Sequence, residues 1–307
     1  MTVDLTGSGT LLSVVIPVYN REQVVVSAVQ SALQGAPTGV QVIVVDDGST
    51  DNTVPVLRMA FEDGIGLIES GQNQGVCAAR NRGAAAAQGE WLVFLDSDDQ
   101  LFPGALDEFL GQAHSGDVGL VRAGVEYRAP GASSGVIRPG AGFTSGRAYP
   151  RGCSIPGSFM VRRKLFADVG SYDANLRFSE NTELLLRLWQ AWSEASWRVA
   201  LLDRPTVCHY RDARERVSRH GTEPARAARY LLHKHGHILS GDPVARRDLL
   251  AIIGTGQLRE GFRRRALLSF MRAWWAAPWH WPSMARILMC LLPQGLLRGG
   301  GPGGRDT

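Results

Sequence analysis

Three polar clusters stand where apolar runs stop. Pro17-Val18-Tyr19-Asn20 follows the run Leu11 to Ile16, Asp46-Asp47-Gly48-Ser49 follows Val40 to Val45, and Asp96-Ser97-Asp98-Asp99 follows Trp91 to Leu95. Carboxylates gathered on one rim repel one another unless a cation, or donors on a ligand, offset the repulsion. Asp96 and Asp98 flank a single residue, a spacing that lets hard oxygen ligands approach one Mg²⁺ or Mn²⁺. Phosphate oxygens and water would fill the remaining positions, so the chemistry suggested is neutralisation of a diphosphate. Each cluster alone is weak, since a DxD triplet is common in surface loops and Asp46 to Ser49 also reads as a turn and helix cap. Their order, each at the end of an apolar run, makes the combination specific.

The elements that must position these clusters alternate between strand and helix patterns. Leu11 to Ile16 reads as a strand buried on both faces and stopped by Pro17, and Val40 to Val45 as a second. Ile65 to Glu69 is a weaker third and Trp91 to Leu95 a fourth. Helices are expected over Val24 to Gln34, from an N-cap among Ser49, Thr50 and Asp51 to about Phe61, and over the alanine-rich Val76 to Ala87. This βαβα succession implies a mainly parallel, Rossmann-like sheet with helices on both faces and right-handed crossovers. Ligands in such a sheet sit beyond the carboxyl ends of the strands, where the three clusters lie.

The segments Ser13 to Asn20, Val42 to Thr53 and Asn73 to Asp99 resemble the family 2 glycosyltransferases of the GT-A fold, densely over about residues 11 to 110 and more thinly to about 215. The resemblance implies inverting transfer of a sugar from a nucleotide-diphosphate donor, a UDP-sugar favoured, assisted by Mn²⁺ or Mg²⁺. It places Pro17, Tyr19 and Asp47 at the nucleobase and ribose, Asp96 at the ribose or the metal, and Asp98 as the main metal ligand. Asn73, Gly75, Ala79, Arg80 and Asn81 match the segment that skirts the nucleotide. Arg80 reads either as a phosphate or sugar contact or as an ion-pair partner of the rim aspartates. His209, after the strand-like Arg204 to Cys208, reads as a third metal ligand or as a structural histidine. The acceptor implied is a glycan or lipid-linked hydroxyl in polysaccharide and cell-envelope synthesis.

An inverting displacement also needs a base on the face opposite the diphosphate. In the family this is usually the Asp of a Glu-Asp pair opening a helix, followed six residues later by Arg. Here the stretch runs Ser179-Glu180-Asn181-Thr182-Glu183-Leu184-Leu185-Leu186-Arg187, so an amide stands at the usual base position. Glu180 or Glu183 must supply the carboxylate, or the protein binds a nucleotide sugar with altered or lost catalysis. Glu180 is favoured by its place at the helix start; Ser179 could cap that helix. Leu184, Leu185, Leu188, Trp189 and Trp192 form its buried stripe.

Composition bounds the rest. The chain has 307 residues, 44% of them hydrophobic, enough for one catalytic core and an appendage. Four cysteines without a CxxC pair suggest neither disulfides nor zinc and fit a reducing cytoplasm, and the polar start with Asp4 does not read as a signal peptide. Residues 198 to 307 hold 19 Lys or Arg against 8 Asp or Glu, about +11, leaving residues 1 to 197 at about −7. A catalytic domain over 1–220, a helical extension over 221–298 and a disordered tail over 299–307 are expected. The extension is basic and tryptophan-rich, and its longest uncharged run, Ala273 to Ala285, is too short to span a bilayer. Peripheral contact with the inner face of an anionic membrane, or packing against protein, would explain it. A nucleotidyl-transfer enzyme would carry a glycine-rich loop with a lysine, and no Lys precedes Lys164. Nothing in the sequence signals nucleic-acid binding.

Overall fold

A computed structural model describes residues 11–113, 116–129, 134–139, 154–194, 197–210, 222–278 and 281–291, apart from the side chains of 193 and 194. The chain divides into two compact units, Met1–Arg216 and Val217–Thr307. Arg211, Arg214, Arg216, Arg219, Cys153, Trp279 and the tail 299–307 lie outside the described residues.

In the first unit β1 (Leu12–Val18), α1 (Val25–Leu33), β2 (Val40–Asp46), α2 (Thr53–Phe61), β3 (Gly66–Glu69), α3 (Val76–Ala86) and β4 (Trp91–Phe94) follow in alternation. Then come β5 (Gln100–Leu101), α4 (Ala105–Gln112), β6 (Val118–Arg128), β7 (Gly135–Ile137), β8 (Phe159–Arg162), α5 (Arg163–Asp168), α6 (Glu180–Glu194) and β9 (Arg198–Tyr210). The strands form one sheet in the order β3-β2-β1-β4-β8-β6-β9-β5, with β7 on β6. Strands β1 to β4 pair in parallel, whereas β8 runs antiparallel to β4 and β6. The sheet is therefore parallel in its first half and mixed in its second.

Period-two alternation along β1 explains the two cores. Val14, Ile16 and Val18 join Val29, Leu57 and Phe109 on one face. Val15 joins Ile43, Val45, Phe94, Leu184 and Leu185 on the other. Burial of each such side chain contributes roughly 1.5–3 kcal/mol. On the second face α3 lies tight on the sheet, because a Cβ at Gly83 would stand 2.4 Å from Val15 Cγ1. That close approach fixes where Arg80, one turn earlier, meets the rim.

Two local expectations change. Pro17 does not stop β1, which continues to Val18. Val15 O accepts from Leu95 N on the β4 side and Val18 O accepts from Asp47 N on the β2 side. The Pro17 nitrogen thus faces β4, whose pairing ends at Phe94, and no ladder bond is lost. Helix α2 starts at Thr53, and of the three expected cap residues Asp51 serves it, its Oδ1 accepting from Thr53 N at 3.0 Å; Ser49 Oγ accepts instead from Asn20 N at 2.9 Å, and Thr50 N donates to Asn20 Oδ1 at 2.8 Å.

The second unit contains α7 (Glu223–Lys234), α8 (Gly236–Leu239), α9 (Pro243–Arg259), α10 (Arg263–Ala276) and α11 (Trp281–Leu291). Asp242 caps α9, accepting from Ala245 N at 2.9 Å. Among the described residues no helix is long and apolar enough to cross a membrane.

Candidate functional site

The first two rim clusters form a self-bonded scaffold. Asp46 is buried and its Oδ2 accepts from Gly48 N at 3.1 Å and Ser49 N at 3.0 Å. Gly48 has φ 81°, and a Cβ there would meet the Gln72 backbone at 2.7 Å, so the turn needs glycine. Asp47, expected at the nucleobase and ribose, is buried; Oδ1 accepts from Gln74 N at 3.0 Å and Oδ2 from Gly75 N at 2.7 Å. It pins the loop that carries Asn73 and Gly75 into α3. Pro17 is buried in β1, while Tyr19 is 42% exposed and Asn73 is exposed, both open to a ligand.

Arg80 joins the third cluster to the base helix. It is buried, with Nη2 donating to Asp96 Oδ1 at 2.6 Å and Nη1 to Glu180 Oε1 at 3.0 Å. Its guanidinium stacks 5.1 Å from the Tyr172 ring centre. Burial opposes its charge, but Asp96, Tyr172 and Glu180 outweigh that and hold its pKa above the ordinary value. Of the two readings of Arg80, the ion pair is the one formed here. Both Nη groups meet carboxylates.

Glu180 and Glu183 sit in different surroundings. Glu180, at the first residue of α6, is half-buried on the rim; among the described residues its Oε2 has no partner. Glu183 is fully buried, and Arg187 grips it with Nε 2.9 Å from Oε1 and Nη2 2.6 Å from Oε2. The Glu183 expectation is corrected accordingly: an acceptor cannot reach a carboxylate sealed in the core against its own arginine. Ser179 stands before α6 with φ 62°, and its carbonyl accepts from Glu183 N, but among the described residues its hydroxyl makes no capping hydrogen bond.

Sequence reading missed the side chains that orient Glu180. Tyr172 Oη donates to Asn181 Oδ1 at 2.8 Å, and Asn181 Nδ2 donates to Glu180 Oε1 at 3.2 Å. Asn81 clamps the Tyr172 backbone, donating to its carbonyl at 2.8 Å and accepting from its N–H at 2.9 Å. Asn81, expected beside the nucleotide, is thus occupied with this frame. The separation of 91 residues between Asn81 and Tyr172 left no local signal.

Asp98 is exposed at the rim, and Asp99 behind it is fully buried. Although its side chain reaches solvent, enclosure by the surrounding rim, with the charge of Asp96 added, raises the Asp98 carboxyl above its ordinary value. Asp99 Oδ2 meets His209 Nδ1 at 2.9 Å, and its Oδ1 accepts from Tyr210 N at 3.2 Å. Burial works against a charged His209, but Asp99 more than offsets it and raises the imidazole. Among the described residues no three His, Cys, Asp or Glu side chains are already placed to hold a metal together. Asp96 is turned to Arg80 and His209 to Asp99, which separates them from Asp98 as a preformed set.

A cavity of about 820 Å³ opens beside Asp98, bordered by Arg21, Ser27, Gln100, Arg128 and Tyr210 among others. Its size suits a small-molecule ligand. Arg21 and Tyr210 adjoin Asn20 and His209 in sequence, the one hint that sequence reading had of them.

Residues 13–170 match the family described as glycosyl transferase family 2. A Haemophilus influenzae protein described as an uncharacterized glycosyltransferase is 26% identical over 233 residues, 72% of this chain and 76% of that one. The Rhizobium meliloti succinoglycan biosynthesis protein ExoO is 37% identical over 99 residues, 32% of this chain and 28% of its own length. Among solved structures, S. aureus TarS 1-349 in complex with UDP-GlcNAc aligns with a TM-score of 0.62 and 17% identity, over 91% of this chain and 89% of that one. That last likeness is one of fold, and the fold is GT-A. The family match spans the three rim clusters and Arg80, and the chain belongs to the family 2 glycosyltransferases.

Proposed function

We propose that this glycosyltransferase moves a sugar, with inversion, from a nucleotide-diphosphate donor to a hydroxyl of a glycan or lipid-linked acceptor. The observation that carries the reading is Arg80, whose two Nη groups hold Asp96 and Glu180. One buried cation thereby sets the carboxylate rim and the proposed base at a fixed separation. Tyr19 and the Asn73 loop would receive the nucleotide. The acceptor oxygen attacks the anomeric carbon as the bond to the diphosphate breaks on the opposite face. Its proton passes to Oε2 of Glu180, the oxygen not already bonded to Arg80 and Asn181. A UDP-sugar is favoured, supported by the UDP-GlcNAc held in TarS, which shares the fold.

Asp98 would hold Mn²⁺ or Mg²⁺, with Asp96 and His209 as nearby candidates. The residues fit such an ion, because like charge and lost solvation already raise Asp98 and hard oxygens are the donors present. When bound, the ion would neutralise the leaving diphosphate. Asp98→Ala should abolish metal-dependent donor binding and leave the melting temperature unchanged; unaltered Mn²⁺ affinity by calorimetry would refute this assignment.

A second reading, donor binding with lost catalysis, is favoured by Asn181 at the family base position. Donor turnover with a true acceptor separates the two. A peripheral position at the inner face of a membrane would bring the enzyme to a lipid-linked acceptor, and polysaccharide synthesis is the process in which ExoO is named.

A further inference from the structure

The second unit buries one side of its last two helices and leaves the other side apolar. In α10, Ala266, Ser269, Phe270 and Ala273 are buried. Leu268, Met271 and Trp275 stand 56%, 50% and 82% exposed. At 3.6 residues per turn those three fall within about 60° of arc, opposite the buried set. Helix α11 repeats the arrangement: Ser283 and Cys290 face inward, while Trp281, Met284, Leu288 and Leu291 share an exposed arc of roughly 80°. Arg263, at the start of α10, donates to the Cys290 carbonyl at 3.0 Å and ties the end of α11 to it.

Charge identifies the partner. Residues 263–291 contain Arg263, Arg264, Arg265, Arg272 and Arg286 and not one Asp or Glu. Arg264 falls inside the exposed arc of α10, and Arg265 and Arg272 border it. A protein core or a second copy of this basic chain would gain little from that border. A surface that is apolar beneath and negative above would match both features, with arginine stems lying over the acyl boundary and their heads among phosphates. Exposed tryptophans suit the same depth.

We propose that the outer faces of α10 and α11 dock this enzyme on an anionic lipid bilayer. The docking deepens the lipid-linked acceptor reading and rests on it for its purpose, but its measurement needs no donor. The full chain should sediment with vesicles of phosphatidylcholine and phosphatidylglycerol, less with phosphatidylcholine alone, and less as salt rises. Brominated acyl chains should quench its tryptophan emission. Trp275→Ala with Trp281→Ala should weaken binding about tenfold or more and remove most of that quenching. Arg264→Gln, Arg265→Gln and Arg272→Gln together should weaken it about a hundredfold on mixed vesicles, and far less on neutral ones. All five positions are on the outer surface, so melting temperature and transfer to a soluble acceptor should not change.

No sedimentation with mixed vesicles at low salt overturns the proposal. So does equal binding by both variant sets, or a mass that doubles with concentration and is halved by the tryptophan variants. Loss of vesicle binding with retained transfer to a soluble acceptor would support the docking face and leave the catalytic reading standing. Absence of transfer in a chain that still docks would count against the catalytic reading alone.

Discussion

Asn181 donates from Nδ2 to Glu180 Oε1 at 3.2 Å while its Oδ1 accepts the Tyr172 hydroxyl at 2.8 Å. An amide can serve both neighbours because it carries a donor and an acceptor. An aspartate in its place would accept from Tyr172 but set a second negative charge against Glu180. Asn181→Asp should therefore move the acidic limb of the kcat profile upward by about a unit, since neighbouring carboxylates raise one another. Tyr172→Phe should lower kcat with KM for the donor nearly constant, by freeing Asn181 to turn. An unmoved pH limb in the first variant would show that position 181 does not sense Glu180 in solution.

The two glutamates should separate by type of effect. Glu180→Gln should cut transfer by about 10²- to 10⁴-fold, with donor affinity retained. Glu183→Gln should act through stability, lowering it by about 2 kcal/mol or more, because Arg187 loses its buried counter-charge. Denaturant melts alongside kcat will tell them apart. Full activity in Glu180→Gln would send the search to another carboxylate facing the anomeric carbon.

Asp47 holds Gln74 N and Gly75 N with its two oxygens. Asp47→Ala should cost about 1–3 kcal/mol and loosen the Asn73 loop. Binding of free nucleotide and of nucleotide sugar should weaken together. Weakening of the sugar nucleotide alone would place the nucleobase elsewhere.

Half-buried His209 pairs with fully buried Asp99 on the rim. Asp99 raises the imidazole above its ordinary 6.5. Burial likewise pushes the Asp99 carboxyl up, to about 7, so the two groups titrate together; both folded values lie above the unfolded ones, and the stability they contribute is lost as pH climbs through the raised values. Asp99→Asn should drop the His209 midpoint below that of the parent protein in an NMR titration. An equal midpoint in both proteins would show that the pair is not charged in the folded state.

Much of the first half of the fold was legible in the residues. Continuous apolar runs such as Val40 to Val45 can be satisfied only by burial on both faces, and the helical stretches between them force parallel pairing. Those rules put the three clusters on one rim without any coordinates. The second half was less legible, because β6 and β9 pair irregularly through register shifts that local patterning does not encode.

Within the site, the sequence determined which residue types were present: a DxD, an arginine one helix earlier, and a Glu-Asn pair where the family keeps Glu-Asp. It did not determine which carboxylate stays reachable. Glu180 and Glu183 are three residues apart, about 60° of arc on α6, so helix geometry alone does not separate them; Glu180 opens the helix at the rim, whereas Glu183 lies nearly a turn further in, against Arg187. Only the packing of α6 against Tyr172 and α3 decided that. The Asp96–Arg80–Glu180 chain joins positions 16 and 100 residues apart, and such contacts exist only once the sheet has closed the distance.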